Sequence, residues 1–376
     1  LQKSDAWAGS AGPGIRFLPI HGKEMNNEEI ESRVDRLHAE TVVVNTYGGP
    51  YTSANVLRNF RVGHWHHGDE RFVEGNPPFT ANVLAPEMKK GGVDIILGGY
   101  SNLADHALWL ADLEESAGAG RFVSTVDEMQ AAKAAGAVGI QIILHGPQTL
   151  DGNIDLLAIH RSLGATVFTL CSSYRNAIVD GCREPDNAGL SLYGRKVIAA
   201  LNRHRIAVDM SHISEQGFWD VLEYSTVPPI FTHTAARAVC DSPRNMTDEQ
   251  FRAHAAAGGY IGVIFFPAYL NKEDPSVEDL LDHIDHIAKL VGPEFIGLGA
   301  DFCQYGWDWT SLVWARSGMP ERRYRFPRGI EDITKWKNVT RGLIRRGYSD
   351  DEIKGILGGN YLRIIERIID QGAPQN

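Results

Sequence analysis

The chain has 376 residues, 43% hydrophobic and 22% charged, the make-up of a folded globular protein rather than a disordered or fibrous one. Its net charge of −10 argues against nucleic acid or an anionic membrane as the main partner, and no run approaches the roughly 18 apolar residues that cross a bilayer. The four cysteines form no CxxC pair and are too few for a disulfide scaffold, so they read as thiols in a reducing compartment, with a Cys171–Cys182 bridge across one loop as the alternative.

In chain order, residues 1–40 read as a Gly-rich arm running into a charged helix. A reducing compartment makes the location read as cytoplasmic, and the start on Leu1 rather than Met leaves periplasmic or secreted as the alternative if a leader has been removed. Eight short Val- and Ile-rich runs then recur, at 41–47, 92–99, 138–145, 165–171, 206–212, 228–233, 259–266 and 295–301. A long loop over 50–86 follows the first and carries His64, His66 and His67, which read either as part of a second metal site or as exposed loop residues. Helices are predicted over 127–135, 191–204, from Ser214, over 247–257 with a Thr247–Gln250 capping box, and over 276–290. The aromatic, Arg-rich stretch 303–335 suits a lid or a subunit contact, and two helices, 333–346 and 350–369, close the chain. Strands alternating with helices in this way predict one α/β domain, a (β/α)8 TIM barrel, whose active site lies at the C-terminal ends of the strands.

Three of the runs end on His145, His212 and His233, and a fourth ends on Asp301. His212 and His233 are separated by one complete βα unit, which puts them on adjacent strands about 5 Å apart, close enough to share an ion. A carboxylate ending an apolar strand needs a partner, and for Asp301 the candidates are a metal, Arg237 or a substrate amine. Arg237, four residues after His233, can hold a carboxylate or a developing oxyanion. Tyr47, at the end of the first run, reads as a pocket wall, a proton donor or a weak ligand, and Gly48 and Gly49 let the backbone approach a ligand there.

From about Asp127 to Glu366 the chain resembles the membrane dipeptidase (renal dipeptidase) family of metallopeptidases. The matching segments are GLSLYGRKVIAALNR, VDMSHISEQGFWDVLEYS, THTAARAVCDSPRNMTDEQ, DHIDHIAKLVG, GLGADF and GYSDDEIKGILGGNYLRIIERI. The resemblance implies a barrel of the metal-dependent amidohydrolase type, commonly a homodimer, that binds a bridged pair of zinc ions and cleaves dipeptides. It places His212 and His233 on histidines that bind the second zinc, Asp301 on the aspartate that handles protons, and Arg237 on the arginine that holds substrate.

The chain also departs from the family pattern. The His-x-Asp pair of the first strand is replaced by Tyr47 and Gly49, the bridging glutamate by His145, and a substrate-contacting histidine by Ser172. This leaves His145, His212 and His233 as a three-histidine site for one zinc per chain, with Tyr47, Ser172 and Tyr305 shaping the substrate pocket. The expected activity is hydrolysis of a small molecule other than an ordinary dipeptide. The alternatives are metal-assisted lyase chemistry, a binuclear dipeptidase with rebuilt ligands, and a catalytically silent binding homologue.

Overall fold

The computed structural model describes residues 25–48, 78–100, 102–271, 273–302 and 326–370. All eight apolar runs contribute strands: β1 (Val44–Asn45), β2 (Ile95–Tyr100), β4 (Val138–His145), β5 (Ala165–Thr169), β6 (Ala207–Asp209), β7 (Ile230–Thr234), β8 (Tyr260–Ile264) and β9 (Ile296–Gly299). They pair in parallel in that order. The ring closes between its ends, where Thr46 N donates to Leu298 O at 2.9 Å. This is the expected barrel. The runs lack a polar alternation because helices cover the outside and side chains fill the inside, so both faces of each strand are buried.

A ninth strand, β3 (Gly120–Phe122), pairs with the start of β4 alongside the ring. It is too short to give a periodic signal. The loop expected to reach residue 86 ends earlier, because helical backbone runs from Thr80 to Gly91. Its N-terminal groups are capped from far away: the buried Asp112 carboxylate accepts from Phe79 N at 2.6 Å and Thr80 N at 3.0 Å.

Local capping fixes the other helices where the sequence puts them. Thr125 with Glu128, Thr247 with Gln250 and Ser349 with Glu352 form reciprocal capping boxes. Ser191 and Ser214 accept from Gly194 N and Gly217 N, opening helices Leu192–Arg203 and Glu215–Tyr224. The predicted last helix is two, Asp350–Lys354 and Asn360–Asp370, joined by a wider turn over Gly355–Gly359. There Gly358 packs against the start of the barrel, and a Cβ on it would lie 2.0 Å from Val42 O. The final helix plugs the N-terminal end of the barrel. Tyr361, Ile364, Ile365 and Ile368 pack against Val44, Ile95, Val167, Ala207 and Ile230. Full burial of each isoleucine is worth roughly 1.5–3 kcal/mol over exposure.

With one end plugged, the open mouth is the C-terminal end. Cys171, Cys182 and Cys240 are free thiols, so the alternative Cys171–Cys182 bridge is not formed. No helix among the described residues is long and apolar enough to cross a membrane.

Candidate active site at the C-terminal ends of the strands

The site is framed where the two ends of the ring meet. Asn45 is fully buried, and its Oδ1 accepts from Ala300 N at 2.9 Å while its Nδ2 donates to Gly48 O. Asp301 N donates to Tyr47 O at 2.8 Å. Gly48 has φ +71°, and a Cβ on it would lie 2.6 Å from Asp301 Cα, so only glycine lets the two strand ends approach this closely. These bonds set Tyr47 and Asp301 side by side at the mouth.

The Tyr47 ring lies flat on the His233 imidazole, with centroids 3.7 Å apart and planes 14° from parallel. His145 faces the same ring from 6.4 Å, tilted by 44°. At the edge of the His233 ring, His212 brings its Nε2 to 2.9 Å from His233 Nε2, with the two rings 69° from parallel. The backbone is strained at two of these positions: His212 has φ +71° and Asp301 φ +55°, left-handed values that non-glycine residues rarely adopt.

The outer partners of the histidine pair assign their protons. Arg244 Nε donates to His212 Nδ1 at 3.2 Å, and Ser173 Oγ lies 3.2 Å from the same nitrogen. Guanidinium has no acceptor, so His212 Nδ1 carries no proton, and the proton on Nε2 is directed at His233 Nε2. His233 Nδ1 lies 2.8 Å from Thr232 Oγ1, whose hydroxyl donates to Asp209 Oδ2 at 2.7 Å. His233 Nδ1 is therefore the donor to Thr232. Burial first, then the Arg244 charge, holds both imidazoles well below the usual histidine range, so both are neutral at pH 7. Neutral imidazole is the form that binds a metal ion. Burial also lowers His145.

Arg244 is nearly fully buried. Its Nη2 donates to His233 O at 2.7 Å, and its buried Nη1 finds no acceptor among the described residues. Its guanidinium carbon stands 5.7 Å from the centre of the Tyr269 ring. Burial pushes the Asp301 carboxyl up to about 7, against the opposing pull of Arg244. The site thus offers two neutral imidazoles, a carboxyl poised near neutrality and a buried cation with a spare donor.

Several expected residues fall elsewhere. Arg237 does not enter the cluster. Its guanidinium donates to Asn245 O at 3.1 Å and Pro243 O at 3.4 Å, and stands 3.8 Å from Glu215. The reason is that residues 236–246 fold back, with Arg237 N donating to Met246 O and Met246 N to Ala235 O. The fold-back carries Arg244 over the strand ends and leaves Arg237 bracing the loop from outside. Ser172 is exposed, and its neighbour Ser173 makes the contact to His212. Among the described residues no three His, Cys, Asp or Glu side chains gather around one metal position, so His145 does not join His212 and His233 as a ready-made third ligand. Tyr305, Gly49, His64, His66 and His67 lie outside the described residues.

The profile of the membrane dipeptidase family (peptidase family M19) matches residues 113–313 and 315–375. The chain belongs to the membrane dipeptidase family. Among curated relatives, dipeptidase tcpJ of Claviceps purpurea is 32% identical over 234 residues, covering 61% of this chain and 51% of that protein. Dipeptidase 3 of Rattus norvegicus is 30% identical over 232 residues, covering 60% and 44%. The chain therefore spans about half the length of the curated relatives it matches. A solved amidohydrolase from Pseudomonas aeruginosa shares the fold, with a TM-score of 0.74 at 23% identity over 89% of this chain and 98% of that one.

Within this membrane dipeptidase scaffold, Arg244, Ser173, Asn45 and Asp209 are the site residues that sequence reasoning missed. Only Arg244 left a signal, as the charged residue of the SPRNMT stretch. The other three act through contacts between distant segments.

Proposed function

We propose that this chain is a metal-dependent hydrolase of a small molecule bearing an anionic group, with one divalent ion, zinc, held by His212 and His233. The observation that carries the reading is the 2.9 Å approach of the two neutral Nε2 atoms at the barrel mouth. His233 Nε2 presents a lone pair to an ion, and His212 Nε2 would present one once its proton is carried on Nδ1. When bound, the ion supplies a Lewis acid that polarises a carbonyl and lowers the pKa of water.

The chain's own residues supply the rest. Arg244 Nη1 holds an anionic group of the substrate, since among the described residues it is a donor beside the pair without an acceptor. Asp301 takes and returns a proton at its carboxylate, for which a pKa of about 7 is well matched. Tyr47 forms the wall against which His233 is held. With Tyr47 stacked there, β1 offers an aromatic face in place of metal ligands, which supports one ion and a substrate other than ordinary dipeptides.

The test is hydrolysis by the zinc-loaded protein of a panel of amides, lactones and dipeptides. Turnover of a non-dipeptide, lost in His212→Ala, is expected. Turnover restricted to dipeptides overturns the substrate assignment.

One observation favours a second reading, a catalytically silent homologue. The Arg244–His212 hydrogen bond leaves the proton on the nitrogen that a metal needs. Absence of both zinc binding and turnover is the outcome that reading predicts.

A further inference from the structure

Asp209 sits three residues before His212 and is fully buried inside the barrel. Its two oxygens have different kinds of partner. Oδ1 accepts from Ser211 N at 3.0 Å, Thr232 N at 2.9 Å and Ser211 Oγ at 2.7 Å. Oδ2 accepts from the hydroxyls of Thr169 and Thr232, each at 2.7 Å. Backbone N–H groups cannot turn, so they fix the carboxylate's orientation. Hydroxyls can turn, and a carboxylate, which only accepts, obliges both to point at it. Thr232 thereby spends its only proton on Asp209, and the lone pairs left on Oγ1 face His233 Nδ1 at 2.8 Å and, at 3.1 Å, Ser211 Oγ, whose own proton goes to Asp209 Oδ1.

We propose that Asp209, acting through the Thr232 hydroxyl, is a positioning residue that keeps His233 in the Nδ1–H form. This leaves the Nε2 lone pair free to bind the ion, and makes His233 the primary anchor of the metal site. His212 is set the opposite way, because Arg244 Nε donates to its Nδ1. It becomes a ligand only when its proton moves from Nε2 to Nδ1, which requires Arg244 Nε to move off that nitrogen. The two imidazoles are thus unequal before any ion arrives, although both stand at neighbouring strand ends. A ligating histidine commonly has its other nitrogen fixed by a carboxylate or carbonyl. Here the carboxylate acts one hydroxyl removed. The metal-binding consequence rests on the zinc site proposed above, whereas the tautomer does not.

Two substitutions separate the relay from general support of the fold. In Asp209→Asn the amide oxygen keeps the fixed N–H donors and the amide nitrogen faces the hydroxyls. Thr232 then receives a bond from the amide, and its own proton is released toward His233 Nδ1. In Thr232→Val the relay is cut with little change in side-chain volume, while Thr232→Ser keeps it.

The experiment is nitrogen NMR of 15N-histidine-labelled, metal-free protein, paired with zinc titration of the same samples. Wild type and Thr232→Ser are expected to show His233 protonated on Nδ1 and to bind zinc equally. Asp209→Asn is expected to shift His233 toward Nε2–H. Asp209→Asn and Thr232→Val are expected to bind zinc about 10–100-fold more weakly. If Asp209→Asn does not fold, Thr232→Val against Thr232→Ser carries the same comparison. An Nε2–H His233 in the wild type, or unchanged tautomer and affinity in the folded variants, overturns the relay. A wild type with Nδ1–H His233 that binds no zinc overturns the zinc site and leaves the relay standing.

Discussion

The Tyr47 ring stacks on His233 with centroids 3.7 Å apart, so one face of this imidazole is covered by an aromatic wall and its edge is left for chemistry. The stack follows from the backbone, since Asn45 and the Asp301 N–H to Tyr47 O bond hold the end of β1 against the end of β9. Such ring pairs are worth about 0.5–1.5 kcal/mol beyond area burial. Tyr47→Ala is expected to lower the melting temperature and loosen zinc binding, while Tyr47→Phe retains both. Calorimetry with and without zinc checks this, and equal behaviour of the Ala and Phe variants would remove the stack from the account.

Arg244 and Arg237 lie seven positions apart and are expected to respond differently. Arg244→Ala removes donors to His212 and His233 O and the spare Nη1. A fall in kcat/KM of about 100-fold is expected, since hydrogen bonds from a charged group contribute about 1.5–3 kcal/mol each. Arg237→Ala breaks loop contacts and a half-exposed ion pair, with an effect on stability of about 1 kcal/mol or less and kcat/KM within a few-fold of wild type. Steady-state kinetics on both variants decides, and the reverse order of sensitivity would return Arg237 to the site.

Asp301→Asn is expected to keep fold and metal and to lose about 10²–10⁴-fold in rate, as for loss of a general acid–base group. It also has a pH signature in the metal-free protein. Burial raises this carboxyl from 3.8 to about 7, so the folded state favours the protonated form. Its contribution to stability is complete below pH 3.8 and is lost as the pH rises through about 7. The Asn variant should therefore gain stability relative to wild type at pH 8 and show no such gain at pH 4. Chemical denaturation at the two pH values measures this, and a gain confined to pH 4 would contradict the assignment.

Acid should unfold the barrel through buried histidines, several of them far from the site. His38, His254 and His283 are buried, with ring nitrogens facing Gly92 O, Tyr260 O and Leu270 O, and burial lowers each to about 4. The unfolded chain binds these protons near pH 6.5 and the folded one does not, so stability is full above 6.5 and falls as the pH drops toward 4. Over that interval these three alone take up to about 4 kcal/mol per pH unit from the unfolding free energy, and the buried His145, His212 and His233 add to the loss in the metal-free protein. Denaturant midpoints between pH 7 and 4 test it, and a flat profile would contradict the burial argument.

The barrel was legible because strands buried on both faces leave uninterrupted apolar runs and because each capping box sits beside the helix it opens. The helix at Thr80 was not, because its cap is Asp112, 32 residues away. His212, His233 and Asp301 were legible as polar residues ending apolar strands. Arg244 was not, because only the fold-back of Met246 onto Ala235 brings it to them. Asp209 looked like one polar residue in the run IAVDMSH, and its role appears only when β5 and β7 bring Thr169 and Thr232 to its carboxylate.

The most direct measurement of the central claim is the zinc content of the purified chain after equilibrium dialysis, by elemental analysis, for wild type, His212→Ala, His233→Ala and His145→Ala. The account predicts about one ion per wild-type chain, lost in the His212 and His233 variants and retained in the His145 variant. Two ions per chain, none, or one ion that survives loss of both His212 and His233 would contradict it.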